Sequence, residues 1–362
     1  MTLPDGRPAW LVTGYEECRE VFQDPVFSRA QADGVPPYPT LGGLLLALDG
    51  ERHRRVRGVA QRGFSAGRIA RLRPQVEALA ERLLDLMVAG GDRAELFGRF
   101  GLPFALGNIT RMLGVHDADY AQIRAWGDGL LATGPDAARR SRVAVEQMSA
   151  YMGGLVAQRR ARPDEGLLSE VVARGDEAGL TEPELVMLAV ALIIAGWETT
   201  AAAIVTFTYT LLTTEADGGS AYRLLCRRPD LIPGAIEELL RTVPNSWLDS
   251  QPRRATADVT LAGVTIRAGD LVIPAHDAAG RDPAAFPDPE RFDVTRTPNP
   301  HLAFGHGPHF CLGAHLGRLE LQVAFAALTR RLPDLRLAVA DEDLTWRTAT
   351  TIRCPEQLPV IW

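Results

Sequence analysis

The sequence predicts a mainly helical protein with small β-sheets, folded as one large domain. Three observations predict it. Long segments carry apolar residues at helical spacing with charged residues between them, period-two alternation is confined to short stretches, and no linker, repeat or low-complexity tract divides the 362 residues. At 46% hydrophobic and 23% charged, the composition is that of a folded globular chain, which excludes disorder as the dominant state.

In chain order, residues 9–13 read as a strand, and residues 71–88 (RLRPQVEALAERLLDLMV) as an amphipathic helix. Residues 136–160 and 229–241 repeat that helical pattern. Between 257 and 273, DVTLAGVTIRAGDLVIP alternates in period two, with Ala-Gly and Ala-Gly-Asp turns between the runs. Residues 282–302 are rich in Pro and carry no periodic pattern, and an irregular connection of that length tends to be functional. A helix follows over 313–332, and residues 346–362 close the chain with a further small hairpin.

Charge and cysteine usage narrow the function classes. The formal charge is -6, and every basic side chain is Arg. This mild acidity argues against nucleic acid or an anionic membrane as partner. Four cysteines (Cys18, Cys226, Cys311, Cys354) stand far apart with no C-x-x-C spacing, the usage of a reduced, cytoplasmic protein. The amino terminus shows no signal-peptide pattern. The longest apolar run, residues 185–195, is well short of the ~20 residues a membrane span needs.

The chemistry concentrates after the irregular stretch, in Phe304-Gly-His-Gly-Pro-His-Phe-Cys311-Leu-Gly313. A cysteine at a helix start meets free backbone N–H groups and the helix dipole, which favour a thiolate. Gly305 and Gly307 let the chain fold tightly about the sulfur, and Gly313 lets a flat ligand lie close to the helix. One thiolate without a second ligand at zinc spacing suits an axial bond to haem iron better than a tetrahedral zinc site. The plainer reading is a structural cysteine in a glycine loop. The pattern F-x-x-G-x-[HR]-x-C-x-G arises by composition about once in ten thousand such chains. It resembles the haem-binding loop of the cytochrome P450 family.

Further motifs follow the order of that family over nearly the whole chain. Glu238-Leu-Leu-Arg241 resembles its E-x-x-R element, although Glu16 and Glu51 begin the same pattern and only position singles out Glu238. The resemblance makes Arg291, in Pro-Glu-Arg-Phe292, the third member of a structural Glu-Arg-Arg cluster pinning the irregular loop. Ala195-Gly196-Trp197-Glu198-Thr199 resembles the oxygen-binding groove of the family's central helix. Gly196 there allows close approach of a ligand, and a buried Glu198 must be used or paired. The alternative reading is a helix cap at Thr199 or Thr200. His53 and Arg57, spaced i and i+4, match a propionate-binding element, as do Arg253 and His309. A run such as residues 51–57 is ordinarily a solvated face. Family members usually carry a further helix ahead of the first strand, whereas eight residues precede Ala9 here. That departure bears on the lip of the substrate channel, not on the haem site.

The resemblance implies one P450-like domain over residues 1–362, holding haem b (iron protoporphyrin IX) with Cys311 as the metal ligand. Cofactor contacts fall to His53, Arg57, Ala195, Gly196, Arg253, Phe304, Gly305, His309 and Gly313. Glu198 and Thr199 are the expected catalytic pair for proton delivery. Electrons are expected from a ferredoxin and ferredoxin reductase, docked on Arg52, Arg54, Arg55, Arg62 and Arg318. Substrate-lining segments are residues 31–46, 119–140, 193–197, 243–248 and 348–352, offering Trp197, Trp247 and Leu248. An apolar or aromatic secondary metabolite suits them. The expected activity is hydroxylation or epoxidation. Oxidative C–C or C–N coupling on an aromatic peptide or cyclic dipeptide, and a haem sensor without turnover, are the alternatives.

Overall fold

Helices form where the apolar periodicity places them, and the longest apolar stretch becomes the centre of the molecule. The computed structural model describes residues 1–3, 6–32, 44–115, 120–134, 136–246 and 252–362. The amino-terminal half holds α1 (Tyr15–Gln23), α2 (Gly50–Gln61), α3 (Ala66–Arg71), α4 (Arg73–Ala89), α5 (Leu102–Leu113), α6 (Tyr120–Leu130), α7 (Ala137–Ala161) and α8 (Leu167–Glu177). Then come α9 (Glu182–Ala195), α10 (Glu198–Thr213), α11 (Ala221–Arg227), α12 (Ile232–Thr242), α13 (His276–Ala279) and α14 (Ala314–Arg331).

The predicted boundaries at 71–88, 136–160 and 313–332 fall within two residues of α4, α7 and α14. The α9–α10 stretch is apolar enough to cross a bilayer by length and composition, yet most of it is buried inside the protein. Its start is fixed by a capping box. The Thr181 side chain accepts from the Glu184 N–H, and the Glu184 carboxylate accepts from the Thr181 N–H, worth about 1 kcal/mol. It breaks at Gly196 and Trp197, where φ of -125° at Trp197 leaves the helical region.

The small sheets frame one side. Strands β1 (Ala9–Val12), β2 (Phe27–Ser28), β6 (Arg253–Ala255) and β9 (Leu271–Pro274) pair in the order β1-β9-β6-β2, with β1 parallel to β9 and Ala9 opposite Leu271. The predicted Ala-Gly turn joins β7 (Val259–Leu261) to β8 (Val264–Ile266), with positive φ at Ala262 and Gly263 as a two-residue hairpin requires. A third sheet orders β10 (Arg336–Leu337), β11 (Pro359–Ile361) and β3 (Arg93–Glu95), while β4 (Glu215–Ala216) and β5 (Gly219–Ser220) form a two-stranded turn. The expected closing hairpin is present as the Trp346–Pro355 bridge, but β11 pairs with β3 and β10 instead of with that turn. One apolar core runs through α4, α5, α9, α10, α12 and α14, and places the α14 start beside the cysteine loop.

Candidate active site

The cysteine loop is shaped by its glycines and by contacts from three other elements. Gly305 has φ +70° and Gly307 φ +68°, a region where a side chain is strained. A Cβ at Gly307 would also come within 2.9 Å of the Gln23 backbone at the end of α1. The Cys311 N–H donates to the Phe304 carbonyl at 2.8 Å, and Arg57 of α2 reaches the Phe310 carbonyl at 2.6 Å. The Arg318 guanidinium lies 4.5 Å from the Phe304 ring centre and is held by Glu237 at 2.8 Å. His301 also reaches Glu237 at 3.0 Å, so α12 and α14 clamp both ends of the loop.

Cys311 is accessible, yet protein crowds it closely enough that burial raises its thiol above the ordinary value. The Gly313 N–H, Arg57 and Arg318 offset part of that rise. The helix start alone thus does not offset burial at this sulfur, and a bound metal cation would favour the thiolate.

Around the loop stands a cluster of basic side chains with one facing carboxylate among the described residues. His53 and His309 stack with ring centres 4.2 Å apart, and Arg253 of β6 and Arg57 complete the set. Burial, then His309 and Arg57, pulls His53 down to about 4, and burial with Arg29 pulls Arg253 down to about 9. Asp49 is the carboxylate that faces them, 3.3 Å from His309 Nε2. Although burial pushes Asp49 up, hydrogen bonds from His309, Ser28 and the Ala30 N–H hold it well below the usual range. The buried His53 Nε2 and Arg253 Nε have no hydrogen-bond partner among the described residues. Donors in this state can take an anionic ligand. Gly313 adds open space where a Cβ would project. Two carboxylates on a flat ring ligated by Cys311 fit this donor set.

On the other side, the break between α9 and α10 exposes a patch within a buried helix pair. Ala195, Gly196 and Thr199 keep accessible surface, while Ile193, Ile194, Trp197, Glu198 and Thr200 are buried. The Thr199 hydroxyl donates to the Ala195 carbonyl at 3.3 Å. Two expectations are corrected here. Trp197 is 0% exposed and packs on Gly127 of α6, where a Cβ would strike its ring at 2.5 Å, so it does not line a substrate space. The space that Gly196 leaves is filled by Ile109 of α5, 2.5 Å from an added Cβ, so close helix packing is what requires the glycine. Trp247 and Leu248 lie outside the described residues.

Glu198 is 2% exposed and turns away from that patch. It takes the Arg347 guanidinium at 2.6 Å. Burial pushes its carboxyl up, and Arg347 opposes the rise.

The Glu-Arg pair behind the loop is built as the motif implies, but its third member differs. Glu238 and Arg241 are fully buried and joined by two bonds of 2.7 and 2.8 Å. Glu238 also accepts from the Asp293 N–H, from Asn299 and from Arg296 at 3.2 Å. The Arg296 side chain is 9% exposed and donates to the Pro287, Asp288 and Arg291 carbonyls. Arg291, the expected member, is 70% exposed and lies 3.9 Å from Asp293. It serves the cluster through its backbone carbonyl. Sequence reading also missed Glu320 of α14, a wholly buried acid between Asn108 and Thr200. Its only signal was an acid at a core position of a periodic helix. The expected docking arginines are partly spent within the fold: Arg52 and Arg55 bind Glu184, and Arg318 binds Glu237.

This loop, its anion-seeking cluster and the broken central helix define a haem-thiolate protein. The comparisons give the family. The cytochrome P450 family model matches residues 230–334. The mycinamicin IV hydroxylase/epoxidase of Micromonospora griseorubida is 43% identical over 99% of this chain and 91% of its own length. The LnmA cytochrome P450 hydroxylase of Streptomyces atroolivaceus superimposes with a TM-score of 0.91 at 40% identity, over 100% of this chain and 92% of that one. Cytochrome P450mel 107F1, described with biaryl coupling reactivity, gives 0.90 at 35% identity over 98% and 90%. The chain belongs to the cytochrome P450 family. It is a monooxygenase-type oxidoreductase, and the family implies haem with a cysteine thiolate ligand.

Proposed function

We propose that this chain hydroxylates or epoxidises an apolar or aromatic secondary metabolite in the cytoplasm, with electrons delivered by a ferredoxin and its reductase. The observation that carries the site reading is the pair of buried donors, His53 Nε2 and Arg253 Nε, without a partner among the described residues, near an accessible Cys311. Cys311 holds the iron. His53, Arg57, Arg253 and His309 hold the propionates, and Phe304, Gly305 and Gly313 shape the face against which the ring lies. When bound, the haem supplies oxygen activation and the oxidising power.

The residues of the chain supply the rest. Ala195 bounds the space opposite the thiolate, and Thr199 donates a proton there. Glu198 resupplies that proton. Residues 243–246 and the 348–352 tip border the substrate space: Ser246 Oγ donates to the Thr351 carbonyl at 3.0 Å, which fixes the two segments together.

A second reading, oxidative coupling, is favoured by the likeness to P450mel 107F1. A haem sensor without turnover leaves Thr199 with no purpose. Turnover with ferredoxin, reductase and mycinamicin IV or aromatic peptide candidates separates the three by product mass. One added oxygen atom supports the proposal, and loss of two hydrogens supports coupling. No reductant-dependent product from any candidate, with haem bound, contradicts both.

A further inference from the structure

Arg318 is one of the arginines expected to dock an electron donor, yet its guanidinium is engaged within the fold. Nε donates to Glu237 Oε1 at 2.8 Å and Nη2 to Glu237 Oε2 at 2.9 Å, a bidentate pair that fixes the plane of the fork. That plane places the cation 4.5 Å from the centre of the Phe304 ring. The Phe304 carbonyl in turn accepts the Cys311 N–H, so the ring that carries the charge is bonded to the ligand residue itself.

The clamp is set from a second side. The His301 side chain is 2% exposed, and its Nδ1 accepts from the Ala303 N–H at 3.3 Å. Its proton therefore sits on Nε2, which donates to Glu237 at 3.0 Å. Burial pushes the Glu237 carboxyl up, but His301 and Arg318 together hold it at about 2, so it is charged at neutral pH. The cluster thus carries one cation and one anion, with the cation on the side of the loop. Arg57 and Arg318 are the charged groups that act on the Cys311 sulfur.

We infer that Arg318 is a positioning residue for electron uptake, its charge clamped over the Phe304 ring by Glu237 so that it favours reduction at the Cys311 site. The inference rests on the reading of Cys311 as the iron ligand. One electron from the donor adds a negative charge at that site, so a cation fixed beside it favours reduction and an anion opposes it. Arg318 raises the electron affinity and Glu237 limits the rise. The two side chains are 30% and 26% exposed, so solvent screens each charge in part.

The test is an equilibrium redox titration of the substrate-free, haem-loaded protein, followed by its visible spectrum, with ferredoxin affinity measured alongside. Arg318→Gln should lower the midpoint potential by about threefold to tenfold in the one-electron equilibrium, ~28–59 mV. Glu237→Gln should raise it by a similar amount. Arg318→Lys, which keeps the charge, should recover at least half of the loss. Shifts of the same sign in Arg318→Gln and Glu237→Gln would mark a disturbed loop and overturn the inference. So would an unmoved potential in Arg318→Gln with weakened ferredoxin binding, the result that a docking arginine gives. If Glu237→Gln loses haem, Arg318→Gln and Arg318→Lys decide alone, since they differ in charge at one position, and a common potential overturns the inference. A parent protein lacking the thiolate signature in its reduced carbon monoxide spectrum would instead refute the site reading.

Discussion

Glu320 shows how far one side chain can shape the pH response. It is 1% exposed between α5 and α10, and burial pushes its carboxyl up to about 8, outweighing the polar neighbours Asn108 and Thr200. The folded state therefore keeps a proton that the unfolded chain releases near 4.5. Between those values folding binds the extra proton, so stability falls as pH rises, by up to about 1.4 kcal/mol per pH unit. Glu320→Gln removes this slope. Denaturant unfolding at a series of pH values should show the parent losing ground to the variant as pH rises toward 8, and parallel curves would contradict the assignment. Thr199 carries a second prediction. Thr199→Ala should keep haem, the thiolate spectrum and substrate binding. Reductant consumption should continue while product per electron falls and hydrogen peroxide rises to match. The proton donor removed is of a kind worth ~10²–10⁴-fold. Undiminished coupling of electrons to product would reduce this part of α10 to packing.

At the scale of elements, the Glu238 cluster shows what a motif transmits and what it omits. The E-x-x-R spacing sets both partners on one face of a helix, which is local geometry and legible. The third cation depends on how residues 282–302 fold, and nothing periodic in that stretch says which Arg turns inward. Arg296 does so because it can fill the Pro287, Asp288 and Arg291 carbonyls as well as Glu238. Breaking such a buried, fully bonded network is costly, about 3–5 kcal/mol, while a solvated pair is worth about 0–1 kcal/mol. Arg296→Ala should accordingly lose haem and melt well below the parent. Arg291→Ala should match the parent in both thermal melting and haem content. Equal losses in the two would restore Arg291 to the cluster. Trp197 failed for a related reason. The A-G-x-E-T pattern fixes which residues stand at the helix break, but the kink of the backbone decides which face each one meets. The glycine was likewise legible while its purpose, making room for Ile109, was not.

For the molecule as a whole, the helical class, the separate small sheets and the position of the cysteine loop were all readable, because each rests on local periodicity or turn chemistry. The assembly of the site was readable only through the spacing of motifs: His53, Arg57, Arg253, His309 and Cys311 come from three separate parts of the chain and meet at one cluster. What the sequence did not disclose are the long-range charge pairs, Glu198 with Arg347, Glu184 with Arg52 and Arg55, and Glu237 with Arg318. They connect residues 81 to 149 positions apart, and no local pattern encodes them. The central claim is that all these parts serve one iron bound by Cys311. The most direct measurement is the reduced carbon monoxide difference spectrum of the parent and of Cys311→Ser, with Cys18→Ser, Cys226→Ser and Cys354→Ser as controls. The parent and the three controls should show the band characteristic of thiolate-ligated haem, and Cys311→Ser should lose that band or lose haem altogether. An unchanged band in Cys311→Ser would contradict the account.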